Sequence, residues 1–181
     1  MKVYEHMEMY LGKIAQGWKP EASTMGIQAS MFLDTPHDEV NTYSTLGMSD
    51  FKLDIGGKYV RQELIFGANR SVPADGIVSF LTSFAEGVVK SKRGLLRGEV
   101  VSGKKLFTGT ECTGVYCSNP VFWEDELSSF EFSNPPTVFV WLMPILEKEA
   151  NYINKKGWSD FEDLLESVEC DFWDLNRKSC V

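Results

Sequence analysis

The chain is poor in grouped metal-binding and catalytic side chains. Two histidines and four cysteines occur in 181 residues. No Cys-x-x-Cys pair is present, and neither His6 nor His37 lies near a cysteine, so the ligand spacing of a zinc site is missing. Also absent are Gly-x-Gly-x-x-Gly, the full Gly-x-x-x-x-Gly-Lys-[Ser/Thr] phosphate loop, the Gly-x-Ser-x-Gly elbow and His-Glu-x-x-His. With these gone, no recognisable cofactor cradle or nucleophile remains. We therefore expect no cofactor, no metal and no catalytic set, in a chain that is not an enzyme. Long apolar runs are missing too. No window approaches the roughly 18 apolar residues of a membrane span, and the longest run, Val138 to Leu146, suits a core strand. Glu5 and Glu8 interrupt the first residues, which do not read as a signal peptide. Four cysteines at this length are too sparse for a secreted disulfide framework. Cys112, Cys117, Cys170 and Cys180 are thus expected as reduced thiols, with Cys180 exposed, in a cytoplasmic protein.

Basic residues are scarce in one region. Residues 1–110 carry 13 basic and 12 acidic side chains, whereas residues 111–181 carry 5 and 14, so the formal net charge of −8 resides in the final portion. Direct nucleic-acid binding and anionic membranes both call for basic patches and are disfavoured. A basic protein partner is the complementary expectation. Plain solubility is the other reading of the same charge.

What is present is globular. Hydrophobic residues make up 43% and aromatics 13%, enough for one domain that buries about 70% of its unfolded surface. Val3, Met7, Tyr10 and Ile14 recur at helical spacing, predicting a helix of about four turns that ends near Gly17 and Pro20. Strands are predicted over Ile27–Leu33 and Val40–Leu46. Phe51–Ile55 and Tyr59–Phe66 flank Gly56-Gly57 as an antiparallel hairpin. Ile77, Phe80, Leu81, Phe84 and Val88 mark the main helix, which opens at Pro73 or Asp75. Short strands are expected at Glu99–Val101, Leu106–Thr108, Gly114–Ser118 and around Phe130 and Phe132. Thr137–Met143 reads as a core strand, with Pro144 in the first turn of the next helix. That helix stops at Gly157, and an acidic helix, Asp160–Val168, follows. The expected fold is one α+β domain over residues 1–181, with a central, mainly antiparallel sheet and helices packed on it.

Four blocks in this order carry a resemblance. They are Tyr43-Ser44-Thr45-Leu46-Gly47-Met48-Ser49; Arg61-Gln62-Glu63-Leu64; Pro120-Val121-Phe122; and Leu142-Met143-Pro144-Ile145-Leu146 with Glu149 and Gly157. Together they resemble the suppressor-of-fused domain over roughly residues 25–170. The resemblance implies a mixed α/β fold that works by gripping other proteins. The two-domain animal member binds a transcription factor in a groove between its domains, and this chain has room for the first of those domains. Shorter members resemble immunity proteins that neutralise a co-encoded toxin, commonly a nuclease, and the length and acidic final portion fit that group. A regulatory scaffold for a transcription factor or another cellular protein is the alternative, and an enzyme with an unrecognised site is a third reading. The residues Tyr43, Leu46, Gly47, Met48, Arg61, Glu63, Pro120, Pro144, Glu149 and Gly157 then read as structural, with Arg61 and Glu63 on one strand face, paired with each other or across strands; lining a pocket is the functional reading of that pair.

Two acidic, aromatic patches read as places to bind a basic toxin: Trp123 with Glu124, Asp125 and Glu126, and Trp173 with Asp171 and Asp174. Carboxylates would steer association and aromatics would anchor it. Taken singly, each aromatic also reads as core and each charge as a solvated face.

Overall fold

A computed structural model describes residues 1–21, 23–103 and 106–181. Helix α1 (Val3–Leu11) leads to strands β1 (Gln16–Trp18), β2 (Gln28–Phe32) and β3 (Val40–Leu46). A 3-10 turn, Met48–Asp50, precedes β4 (Leu53–Asp54), β5 (Tyr59–Asn69) and the long helix α2 (Ala74–Ser91). Then come β6 (Val100–Ser102), β7 (Cys112–Ser118), a 3-10 turn Asp125–Ser128, β8 (Ser129–Phe130), β9 (Thr137–Leu146), α3 (Glu147–Lys156) and α4 (Trp158–Ser167).

The strands form one sheet in the order β1-β2-β3-β5-β9-β7-β6, with β4 beside β5 and β8 beside β9. Every pairing is antiparallel except the central one, β5 with β9. Alternation along those two strands divides the core between two faces. Leu64, Phe66, Val140 and Leu142 point to α2, joined by Ile77, Leu81 and Ala85. Ile65, Phe139, Trp141, Met143 and Ile145 point to the opposite face, where they meet α1, α3, α4 and the C-terminal tail through Met7, Ile153, Phe161, Phe172 and Trp173. The single mixed-sheet α+β domain expected from the sequence is thus present.

Four local expectations are corrected. The first helix ends at Gly12, whose φ of +86° is left-handed, and the chain turns into β1 instead of continuing through Ile14. Leu106–Thr108 forms no strand, and Phe132 lies beyond β8, exposed. Pro144 lies inside β9, not in a helix. It is tolerated because β5 has no register partner past Trp141, and the Pro144 carbonyl instead accepts from Arg177 Nη2 (3.0 Å). Finally, the four cysteines are not all thiols: Cys170 and Cys180 form a disulfide across ten residues, while Cys112 and Cys117 are free and buried. Burial pushes the Cys117 thiol up to about 12, so it is held as an unreactive neutral group.

Candidate protein-binding site

The motif residues build the frame. Arg61, Gln62 and Glu63 are consecutive on β5, and each pins a different piece of backbone. Arg61 Nη1 donates to the carbonyls of Ser49 (2.6 Å) and Asp50 (3.0 Å). Gln62 exchanges two hydrogen bonds with the Leu95 backbone, at 2.8 and 2.9 Å. Glu63 is fully buried and accepts from the amides of Gly47 (2.9 Å) and Ser49 (3.0 Å) and from the Thr45 hydroxyl (2.5 Å). The expected Arg61–Glu63 pair is therefore replaced by two grips on the same turn, one on its carbonyls and one on its amides. Gly47 takes a φ of +102°, open to glycine at little cost, and thereby aims its N–H at Glu63. Burial pushes the Glu63 carboxyl above its ordinary range, while the bonds from Thr45 and the turn amides pull it back. Tyr43 and Met48 are buried in the α2-side core, Leu46 packs on the other face, and Pro120 is buried beside the exposed Val121.

Glu149 is the second fully buried motif carboxylate. It accepts from the Leu146 amide at the start of α3 (2.9 Å), from the Cys180 amide (2.9 Å), and from Arg177 in a bidentate pair at 2.5 and 2.8 Å. The C-terminal tail is thereby clasped onto the sheet, and Gly157, at φ +97°, separates α3 from α4. Nothing in the sequence marked Arg177 as its partner, because the two lie 28 positions apart.

The residues expected to bind a partner separate into two groups. Glu124, Asp125 and Glu126 are exposed on their 3-10 turn. Trp123 and Trp173 are inside, which corrects their assignment as contact groups: their rings pack edge to face at 5.7 Å, and Trp123 Nε1 donates to Thr42 Oγ1 (3.0 Å). Such area is worth more in the core than at a surface. Asp171 and Asp174 shape the tail by accepting from the amides of Trp173 (3.1 Å) and Asn176 (2.8 Å). The histidines build no site: His6 is buried against Phe139 and held below its ordinary range by burial, and His37 is exposed.

One patch of exposed apolar surface lies beside these tryptophans. Val121 is 61% and Phe122 44% exposed, and the Phe122 ring meets Trp141, Phe172 and Trp173 at 5.3–5.5 Å. Val121, Phe122, Trp141, Met143, Leu165 and Phe172 line a cleft of about 380 Å³ between the Val121–Phe122 loop and α4. At its rim Arg97 Nε donates to Glu162 (3.2 Å), the Tyr116 hydroxyl donates to the same carboxylate (2.6 Å), and Glu166 is exposed. Sequence reasoning found the acidity of α4 but not this cleft, because Trp141 and Phe172 meet only after folding. A wider cleft of about 800 Å³ lies between α2 and the tail, lined by Phe80, Phe84, Phe107 and Asn176. Asp174 is its only charged lining group among the described residues.

Comparisons with known proteins agree with this frame. The family model of suppressor of fused protein (SUFU) matches residues 24–178. The chain is 27% identical over 175 residues to immunity protein YqcF of Bacillus subtilis (strain 168), covering 93% of this chain and 88% of that protein. In structure it resembles a suppressor-of-fused homologue from Neisseria gonorrhoeae, with TM-score 0.80 and 19% identity over 99% of this chain and 94% of the other. It also resembles a chain of the Sufu–Fu complex, with TM-score 0.75 and 12% identity over 98% and 90% of the two chains. Drosophila Suppressor of Fused matches with TM-score 0.63 and 14% identity over 84% of this chain but 42% of its own length. With the family model spanning most of its length and its motif residues holding the sheet together, this chain belongs to the suppressor of fused protein family.

Proposed function

We propose that this protein is an immunity protein that neutralises a toxin encoded beside it by binding it directly. The observation that carries the reading is the similarity to immunity protein YqcF, which runs along 93% of the chain. Physical support comes from the surface. The final 71 residues hold the whole excess of negative charge, and exposed carboxylates lie on the 124–126 turn and on α4. Such a surface suits a toxin whose own target is anionic, a nuclease above all, because it meets the same basic groups that attract phosphate. The same reading puts the protein in the cytoplasm. No helix among the described residues is long and apolar enough to cross a membrane.

Co-expression with the neighbouring toxin gene tests the proposal. Restored growth and a complex that co-purifies are expected; continued toxicity with no complex contradicts it. The likeness to a chain of the Sufu–Fu complex favours a second reading, a regulatory scaffold for a cellular protein. A gene neighbourhood without a toxin selects that one.

A further inference from the structure

We infer that the cleft between the Val121–Phe122 loop and α4 is a docking site for a protein segment that presents an aliphatic side chain next to lysine or arginine. The inference deepens the proposed function by naming the surface and the chemistry of the segment it takes.

Three observations converge. The floor is apolar: Trp141, Met143 and Phe172 lie under Phe122, and Val121 and Phe122 are the large apolar residues left exposed at its mouth. An aliphatic side chain seated there would cover both, as a central anchor does at an interface. The rim is acidic. Helix α4 carries no basic residue, and of its four carboxylates Glu162 and Glu166 line the cleft. The one cation at the rim among the described residues, Arg97, is engaged by Glu162 and lies over the Trp158 ring at 5.2 Å. Glu162 is satisfied by Arg97 and Tyr116, so Glu166 is the rim carboxylate left to meet an incoming cation. Third, the indole Nε1–H of Trp141, a buried wall residue, has no hydrogen-bond partner among the described residues. An unpaired buried donor is costly. An acidic segment would face the carboxylates of α4 and is excluded on charge.

The test is a titration of the nitrogen-15-labelled full chain with the capped peptide Lys-Lys-Leu-Leu-Lys-Lys, followed by nuclear magnetic resonance. The indole N–H of Trp141 is assigned by Trp141→Phe. Saturable shifts of that resonance and of the Val121 and Phe122 amides are expected, with Glu166→Lys weakening the affinity up to about tenfold. The peptide Glu-Glu-Leu-Leu-Glu-Glu is expected to leave the spectrum unchanged. Glu166 is exposed, so its reversal tests charge without disturbing the core, and Val121→Ser, equally exposed, tests the apolar part. Absent shifts, equal shifts with the acidic peptide, or affinity unchanged in both variants overturn the inference. So does a Trp141 resonance that moves on dilution of the chain alone, which assigns the cleft to a second copy. The titration needs no toxin, so its failure is separate from a failure of co-expression to restore growth.

Discussion

Two buried glutamates hold this fold together by opposite means. Glu63, in the first half, has no cation beside it among the described residues: its carboxyl group is met by two backbone amides and a hydroxyl. Glu149, in the acidic final portion, is met by a bidentate guanidinium as well as two amides. The first anchors the turn that follows β3; the second anchors a tail. The difference shows that a buried carboxyl group can be hydrogen-bonded without a countercharge when its neighbours are short-range backbone donors fixed by a glycine turn. A distant tail has no such turn to offer and is tied down by an ion pair.

The largest expected effect comes from breaking the ion pair. Arg177→Met leaves the Glu149 charge buried and should cost about 3–5 kcal/mol in urea unfolding. Adding Glu149→Gln should recover part of that loss, and a double variant no more stable than Arg177→Met would contradict the charge argument. Next is the disulfide. Cys170→Ser with Cys180→Ser should cost about 2–3 kcal/mol, since it releases a short loop in the unfolded chain. The near-ultraviolet signal of the buried tryptophans should nevertheless persist, because Arg177 and Trp173 still hold the tail. Loss of that signal would move the tail's hold from the ion pair to the bridge.

Gly67 joins the two regions. It sits on β5, and a Cβ there would lie 2.4 Å from Cζ3 of Trp173. Gly67→Ala should therefore cost about 1–3 kcal/mol by overpacking, measured as a lower denaturation midpoint. An unchanged midpoint would mean that the tail adapts freely to the sheet.

The smallest effect is expected at Glu63→Gln, which keeps an oxygen for the Gly47 and Ser49 amides. We expect a loss of less than about 1 kcal/mol at neutral pH. The sharper readout is pH. Burial raises the Glu63 carboxyl above its unfolded value of 4.5, so the fold favours its protonated form. Its contribution is full below that value and is lost as pH rises through the folded one. Glu63→Gln should remove this decline from the stability-versus-pH curve; an identical decline in the variant would assign it to another group.

Much of the frame was legible because it is local. Val40–Leu46, the Gly56-Gly57 hairpin and the α2 stripe each announce themselves by period and turn chemistry. The parallel β5–β9 pairing was not legible, since no local pattern says which strands meet across 70 residues or more. Pro144 misled for the same reason: proline looks like a helix start until the tail is known to lie where β9 lacks a neighbour. In the candidate site, charge was visible in the sequence and inward orientation was not. Trp123 and Trp173 share the composition of an interface, yet their partners, Thr42 and Gly67, come from β3 and β5.

On the proposed function, a sheet built from strands of both halves presents, through the acidic final portion of the chain, a surface that captures and silences a toxin. Calorimetric titration of the purified chain with an inactive variant of the toxin encoded beside it tests this most directly. The account predicts saturable binding that weakens as salt is added. No binding at low salt, with the chain folded, would contradict it.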